Sequence, residues 1–154
     1  MNSKLLKLKW KKKNKMKNKF LLFVFLFIIT SCNENNPNFL TYEKIIDGDT
    51  FIASGKKIRL WGIDAPEKGE PESFTASLYL EVLLKQGELI CNEMSIDKYK
   101  RHVMRCYSGE EDIAASLVKN GMARDYKTYS KGYYEIDEQK AKNNKLGIWS
   151  GNRI

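Results

Sequence analysis

Histidine is almost missing from this chain of 154 residues, where His102 stands alone. A metal centre built from several imidazoles is therefore excluded, and His102 reads as structural or exposed. A long apolar run is missing as well. The longest unbroken one, Phe20 to Ile29, has ten residues, against the roughly 20 that a membrane-spanning helix needs. A surplus of positive charge is missing from most of the chain. The total is +8, but nine of the 27 Lys and Arg lie in residues 1–32, which hold no Asp or Glu. The 122 residues that follow carry 18 basic against 19 acidic side chains. Beyond residue 32, anion recognition therefore has to come from individually placed side chains and not from a generic basic surface. Neither an internal repeat nor a low-complexity stretch breaks the later part, whose length suits one domain with one core.

A lysine-rich stretch followed by an apolar run is the layout of a secretion signal. Here it closes in Ile29-Thr30-Ser31-Cys32, which resembles the lipobox of bacterial lipoproteins. Residues 1–32 are accordingly expected to be a lipoprotein signal peptide cleaved before Cys32. That cysteine would carry the lipid and hold an exported protein on the outer face of the cell envelope. Residues 33–39 read as a polar, disordered tether, and residues 40–151 as the folded domain.

Between Phe39 and Asp64 short apolar stretches alternate with turn residues, which predicts three strands: Glu43 to Ile46, Thr50 to Ala53 and Ile58 to Ile63. A turn at Gly55 makes the second and third a hairpin, bringing Asp47 and Asp49 close to Asp64. Ser73 is placed to cap a helix whose Phe74, Leu78, Val82 and neighbouring leucines recur at helical spacing until Gly87. Strands from Glu88 to Met94 and Arg101 to Tyr107 form a second hairpin. Helices are predicted from about Asp112 to Gly121 and from about Tyr133 to Leu146. Five strands and about three helices in this order predict an α+β fold built on an OB-type five-stranded barrel.

Asp47, Asp49 and Asp64 thus gather at one end of the first hairpin, with Glu67 three residues further on. Hard oxygen donors in such a group suit calcium or magnesium, although acidic residues in turns are also commonly just solvated. Arg59 and Arg101, each in or opening a strand, offer planar two-pronged donors of the kind that clamp a phosphate.

These residues resemble the staphylococcal nuclease (thermonuclease) family from about Tyr42 to Trp149. The resemblance rests on Ile46-Asp47-Gly48-Asp49-Thr50, on Ile58-Arg59-Leu60-Trp61-Gly62-Ile63-Asp64-Ala65-Pro66-Glu67, on Asp97-Lys98-Tyr99-Lys100-Arg101 and on Gly147-Ile148-Trp149. It implies calcium-dependent hydrolysis of DNA and RNA, leaving 3′-phosphate ends, and a monomer is the default expectation. Asp49, Asp64 and the Ala65 carbonyl would bind Ca2+, with Asp47 behind them. Glu67 would orient or activate water, and Arg59 and Arg101 would hold the phosphate. Lys98, Tyr99, Tyr126 and Tyr129 would contact the nucleotide, with ordinary packing as the alternative for each tyrosine. One departure is Lys100, where the family usually carries glycine; it would either shift the aim of Arg101 or add a phosphate contact. A main-chain ligand survives the change of threonine to Ala65.

A turn centred between Lys98 and Tyr99 puts Cys91 opposite Cys106, near enough for a disulfide. Two buried thiols are the alternative, and the resemblance together with export favours the bond. The competing functional class is a catalytically weak or inactive barrel that binds nucleic acid.

Overall fold

The computed structural model describes residues 38–151. The expected signal peptide, the expected lipid attachment at Cys32 and most of the expected tether lie outside the described residues. Phe39, assigned to the tether, instead belongs to the sheet. Phe39 pairs with Ile90, and the Asn38 carbonyl accepts the Cys91 N–H at 3.1 Å.

The main sheet contains β1 (Phe39–Leu40), β2 (Tyr42–Ile45), β3 (Thr50–Ala53), β4 (Lys56–Leu60), β6 (Leu89–Ile96) and β7 (His102–Ser108) in the order β1-β6-β7-β4-β3-β2, with β8 (Glu111–Asp112) added to β7. Because β1 and β2 follow one another along the chain, a single stretch pairs with β6 through its first part and with β3 through its second. That wraps the sheet into a nearly closed barrel, and the five expected strand paths are β1 with β2, then β3, β4, β6 and β7. All the pairings are antiparallel except β4 with β7, which run parallel.

The turn between β3 and β4 is two residues, Ser54 and Gly55, both at positive φ (48° and 71°). This is the turn chemistry whose twist matches the flanking strands. It fixes the register Ala53 to Lys56 and Thr50 to Arg59. A separate two-stranded pair joins β5 (Ile63–Asp64) to β9 (Arg124–Asp125).

Four α-helices are found among the described residues: α1 (Ser73–Leu84), α2 (Ile113–Lys119), α3 (Lys127–Ser130) and α4 (Glu135–Asn143), followed by a 3-10 turn at Gly147–Trp149. The four-residue α3 is too short to leave a periodic signature in the sequence. Asp112 caps α2, its carboxylate accepting the Ala115 N–H at 3.1 Å.

One expectation for α1 changes. Ser73 is its first helical residue, while Glu72, at φ 62°, stands at the cap and makes no side-chain capping bond. The stripe Phe74, Leu78, Val82 lies on the exposed face, whereas Ala76, Leu80, Leu83 and Leu84 are buried. Two apolar stripes share this helix, and the barrel packs against the one with the smaller residue at its start. The reason lies at Gly48, where a Cβ would stand 2.8 Å from that of Ala65 and 3.0 Å from that of Ala76. Helix, turn and the loop after β5 meet at a point with room for nothing larger. The core beneath them is formed by Phe51, Ile58, Leu60, Ile63, Met104, Ile113, Leu117 and Tyr134.

Candidate active site

The register of the first hairpin brings the charged residues together. The Leu60 N–H donates to the Asp49 carbonyl at 2.8 Å, and Arg59 reaches back across the pair. Its Nη1 makes an ion pair with Asp49 Oδ1, and its Nη2 donates to Asp64 Oδ1 and to the Ile63 carbonyl, each at 3.2 Å. The Asp49 side chain is only 4% exposed and that of Arg59 15%, whereas that of Asp64 is 49% exposed. Asp49 Oδ2 also accepts the Ala65 N–H at 3.1 Å, and its Oδ1 accepts the Thr50 hydroxyl at 2.9 Å. Asp47 Oδ1 accepts the Asp49 N–H at 3.1 Å, which places it behind Asp49. Burial pushes the Asp49 carboxyl up to about 6, and Asp47 adds to this. Arg59 and the bonds from Ala65 and Thr50 pull the other way.

Arg101 arrives from the tip of the second hairpin. Asp97 accepts its Nε–H at 2.7 Å through Oδ2, and its N–H at 2.9 Å and that of Tyr99 at 2.8 Å through Oδ1. Lys100 stands at φ 62°, a left-handed conformation that costs a side-chain-bearing residue about 1–2 kcal/mol. The turn is held closed around it, since Asp97 N–H donates to the Arg101 carbonyl and Lys100 N–H to the Asp97 carbonyl, both at 3.0 Å. Lys100 therefore fits the turn without removing Arg101 from the site. Below the tip, Cys91 and Cys106 face each other in register and are joined by a disulfide, both fully buried.

A cleft of about 550 Å³ unites the two hairpins. Its wall includes Arg59, Glu67, Lys98, Tyr99, Arg101 and the pair Tyr126 and Tyr129, with Leu60, Ile63, Ile96 and Val103 as an apolar lining. Tyr126 is held at its edge because β9 pairs with β5 and the Tyr126 N–H donates to the Gly62 carbonyl at 2.9 Å. Behind it, buried Asp125 accepts the Ser130 hydroxyl, and its N–H donates to Glu138 Oε1 at 3.2 Å. Tyr126 and Tyr129 stand edge to face with ring centroids 5.0 Å apart. Glu67 is exposed, its N–H donating to Glu70 Oε2 at 2.9 Å.

A family model described as "Staphylococcal nuclease homologue" matches residues 57–151. The chain belongs to that family. An "Uncharacterized endonuclease" of Haemophilus influenzae is 30% identical over 131 residues, which cover 81% of this chain and 73% of that protein. The "Micrococcal nuclease" of Shigella flexneri is 32% identical over 124 residues, 70% of this chain and 71% of the relative. "Endonuclease YncB" of Bacillus subtilis is 32% identical over 130 residues, 72% of this chain but only 61% of the relative. As a member of the staphylococcal nuclease homologues, the chain falls among the nucleases, a class of hydrolases.

Among the described residues no three His, Cys, Asp or Glu side chains form a metal-binding group. A cation at this site would therefore have two carboxylates, Asp49 and Asp64, and would complete its shell with the Ala65 carbonyl and water. That all-oxygen set fits a hard divalent ion. Both carboxylates engage the Arg59 guanidinium, which holds them within reach of each other.

Asp97 was visible in the sequence only as part of a motif. Its partnership with Arg101, four residues on in a turn, is a carboxylate–arginine spacing that could have signalled the role. The apolar lining of the cleft left no separate sequence signal, because its members also read as ordinary strand residues.

Proposed function

We propose that this protein is a calcium-dependent phosphodiesterase that hydrolyses DNA and RNA at the cell envelope, acting as a monomer anchored through a lipid on Cys32. The observation that carries the enzymatic part is the sharing of one cleft by Arg59, Glu67 and Arg101, beside the Asp49 and Asp64 pair. Family membership and relatives named as nucleases support it.

In this reading Glu67 takes a proton from a water as its oxygen bonds to phosphorus. The bond from phosphorus to the 5′-oxygen then breaks, the departing oxygen takes a proton from solvent water, Glu67 returns its proton to solvent, and a 3′-phosphate end remains. Arg101 and Arg59 stabilise the charge that grows on the phosphate oxygens, the kind of contribution whose removal costs about 10² to 10³ in rate. Bound Ca2+ would neutralise a phosphate oxygen and the Asp49 and Asp64 carboxylates. Lys98, Tyr99, Tyr126 and Tyr129 would hold the nucleotides on either face of the cleft.

Cleavage of single-stranded DNA and of RNA by the full chain in detergent, with calcium, with a chelator, and with Glu67→Gln, tests the chemistry. Calcium-dependent cutting lost in the variant is expected. Tight binding of both nucleic acids with no cutting in a folded, oxidised sample would instead establish a binding barrel. The anchor is tested by intact mass of the membrane-extracted protein beside Cys32→Ser. A lipid-sized mass on the first chain and release of the second into the soluble fraction are expected, and an unmodified Cys32 would remove the anchor from the reading.

A further inference from the structure

The two arginines of the cleft leave different edges free. Arg59 spends both terminal amino groups on Asp49, Asp64 and the Ile63 carbonyl. Arg101 spends Nε on Asp97, and among the described residues neither of its terminal amino groups has a hydrogen-bond partner. A guanidinium held by Nε keeps the paired donors that grip a phosphate in two-pronged fashion. We propose that Asp97 is a positioning residue that fixes Arg101 by its Nε so that both terminal amino groups are presented to the phosphate.

The carboxylate is built for this. One oxygen accepts the N–H groups of Tyr99 and Arg101, which fixes its own orientation, and the other takes the side chain at 2.7 Å. Burial pushes the Asp97 carboxyl up, but the bonds from the main chain and side chain of Arg101 and from the Tyr99 N–H outweigh it, so the group stays charged through the neutral range. The Tyr99 ring adds a second restraint, with the Arg101 guanidinium 5.4 Å from its centroid. Asp97 also closes the turn in which Lys100 is left-handed, so positioning the arginine and shaping the backbone are separate roles that must be told apart.

The proposal rests on the reading of Arg101 as a phosphate-binding group, and the test separates the two. Steady-state cleavage is measured for the wild type, Asp97→Asn, Arg101→Ala, the double variant, and Asp97→Asn combined with Lys100→Gly. Displacing a transition-state donor should lower kcat and kcat/KM together, by about 10- to 100-fold in Asp97→Asn. The same substitution should have no further effect once Arg101 is alanine. Glycine at position 100 removes the backbone strain without touching the arginine, so it should leave the Asp97→Asn defect in place. Rescue by Lys100→Gly, or a full Asp97→Asn defect persisting in the Arg101→Ala background, would make Asp97 a turn residue and overturn the proposal. Wild-type kinetics for Asp97→Asn would overturn it equally. Undiminished cleavage by Arg101→Ala would remove the phosphate role of Arg101 and the proposal with it. Should Asp97→Asn alone fail to fold, the Lys100→Gly background supplies the folded protein in which the comparison is read.

Discussion

The cleft is assembled from two hairpins that hold their arginines in opposite ways. Arg59 sits in the wall of the barrel, locked between buried Asp49 and half-exposed Asp64 in a strand whose neighbours are core residues. Arg101 sits at a hairpin tip, held by one carboxylate and stacked near an exposed tyrosine. The cleft thus has a side that belongs to the fold and a side that is attached to it. Charge inside the barrel is bound up with stability, whereas at the tip Asp97 keeps two main-chain N–H bonds that do not depend on the arginine side chain.

The largest expected effect puts that contrast directly to the test. Arg59→Ala and Arg101→Ala should each lower the cleavage rate by about 10² to 10³. Urea unfolding should then separate them, with a loss of about 3–5 kcal/mol for Arg59→Ala, which strands the buried Asp49 charge, and about 1 kcal/mol or less for Arg101→Ala. Equal stabilities would show that the barrel side is no more integrated than the tip.

Replacing Cys91 and Cys106 together by alanine should cost about 3 kcal/mol, as expected for opening a loop of this length, with a sequence separation of 15. Hydrogen exchange should show the loss concentrated in β6 and β7, with β3 and β4 little changed below the unfolding transition. Uniform loss of protection would mean that the two hairpins melt as one unit.

A smaller effect comes from Asp49. Burial pushes its carboxyl up to about 6 in the folded protein, above the roughly 3.9 of an unfolded chain. The folded state therefore binds the proton more tightly, so the stability of the calcium-free protein should fall as pH rises from about 4 to about 6. Tm measured across that window should decline in the wild type relative to Asp49→Asn. Parallel Tm curves would show that Arg59 fully compensates the buried charge. The smallest expected change is Lys100→Gly, a gain of about 1 kcal/mol from relieving the left-handed residue, read by urea unfolding. No gain would mean that the tip adapts to lysine without strain.

Much of the barrel was legible because its signals are local. The two-residue turn at Ser54 and Gly55 fixes which residues of β3 and β4 meet, and from that the proximity of Asp49 to Arg59 follows. The register of β6 and β7, which sets Cys91 opposite Cys106, was readable for the same reason. Helix α1 was readable as a helix but not as a face. Phe74, Leu78 and Val82 form a stripe as convincing as the buried one, and only the tight meeting of Gly48, Ala65 and Ala76 selects between them. The pairing of β5 with β9, which brings Tyr126 to the cleft, joins segments some 60 residues apart and had no local signature.

By itself the sequence determined the strand and helix types, the two hairpin registers and the family motifs, because turn chemistry and periodicity act between near neighbours. Tertiary structure alone decided which side of α1 is buried, that β9 pairs with β5 to bring Tyr126 to the cleft, and that the two hairpins share that cleft. Those outcomes depend on distances between segments far apart along the chain, and such distances exist only once the barrel has closed.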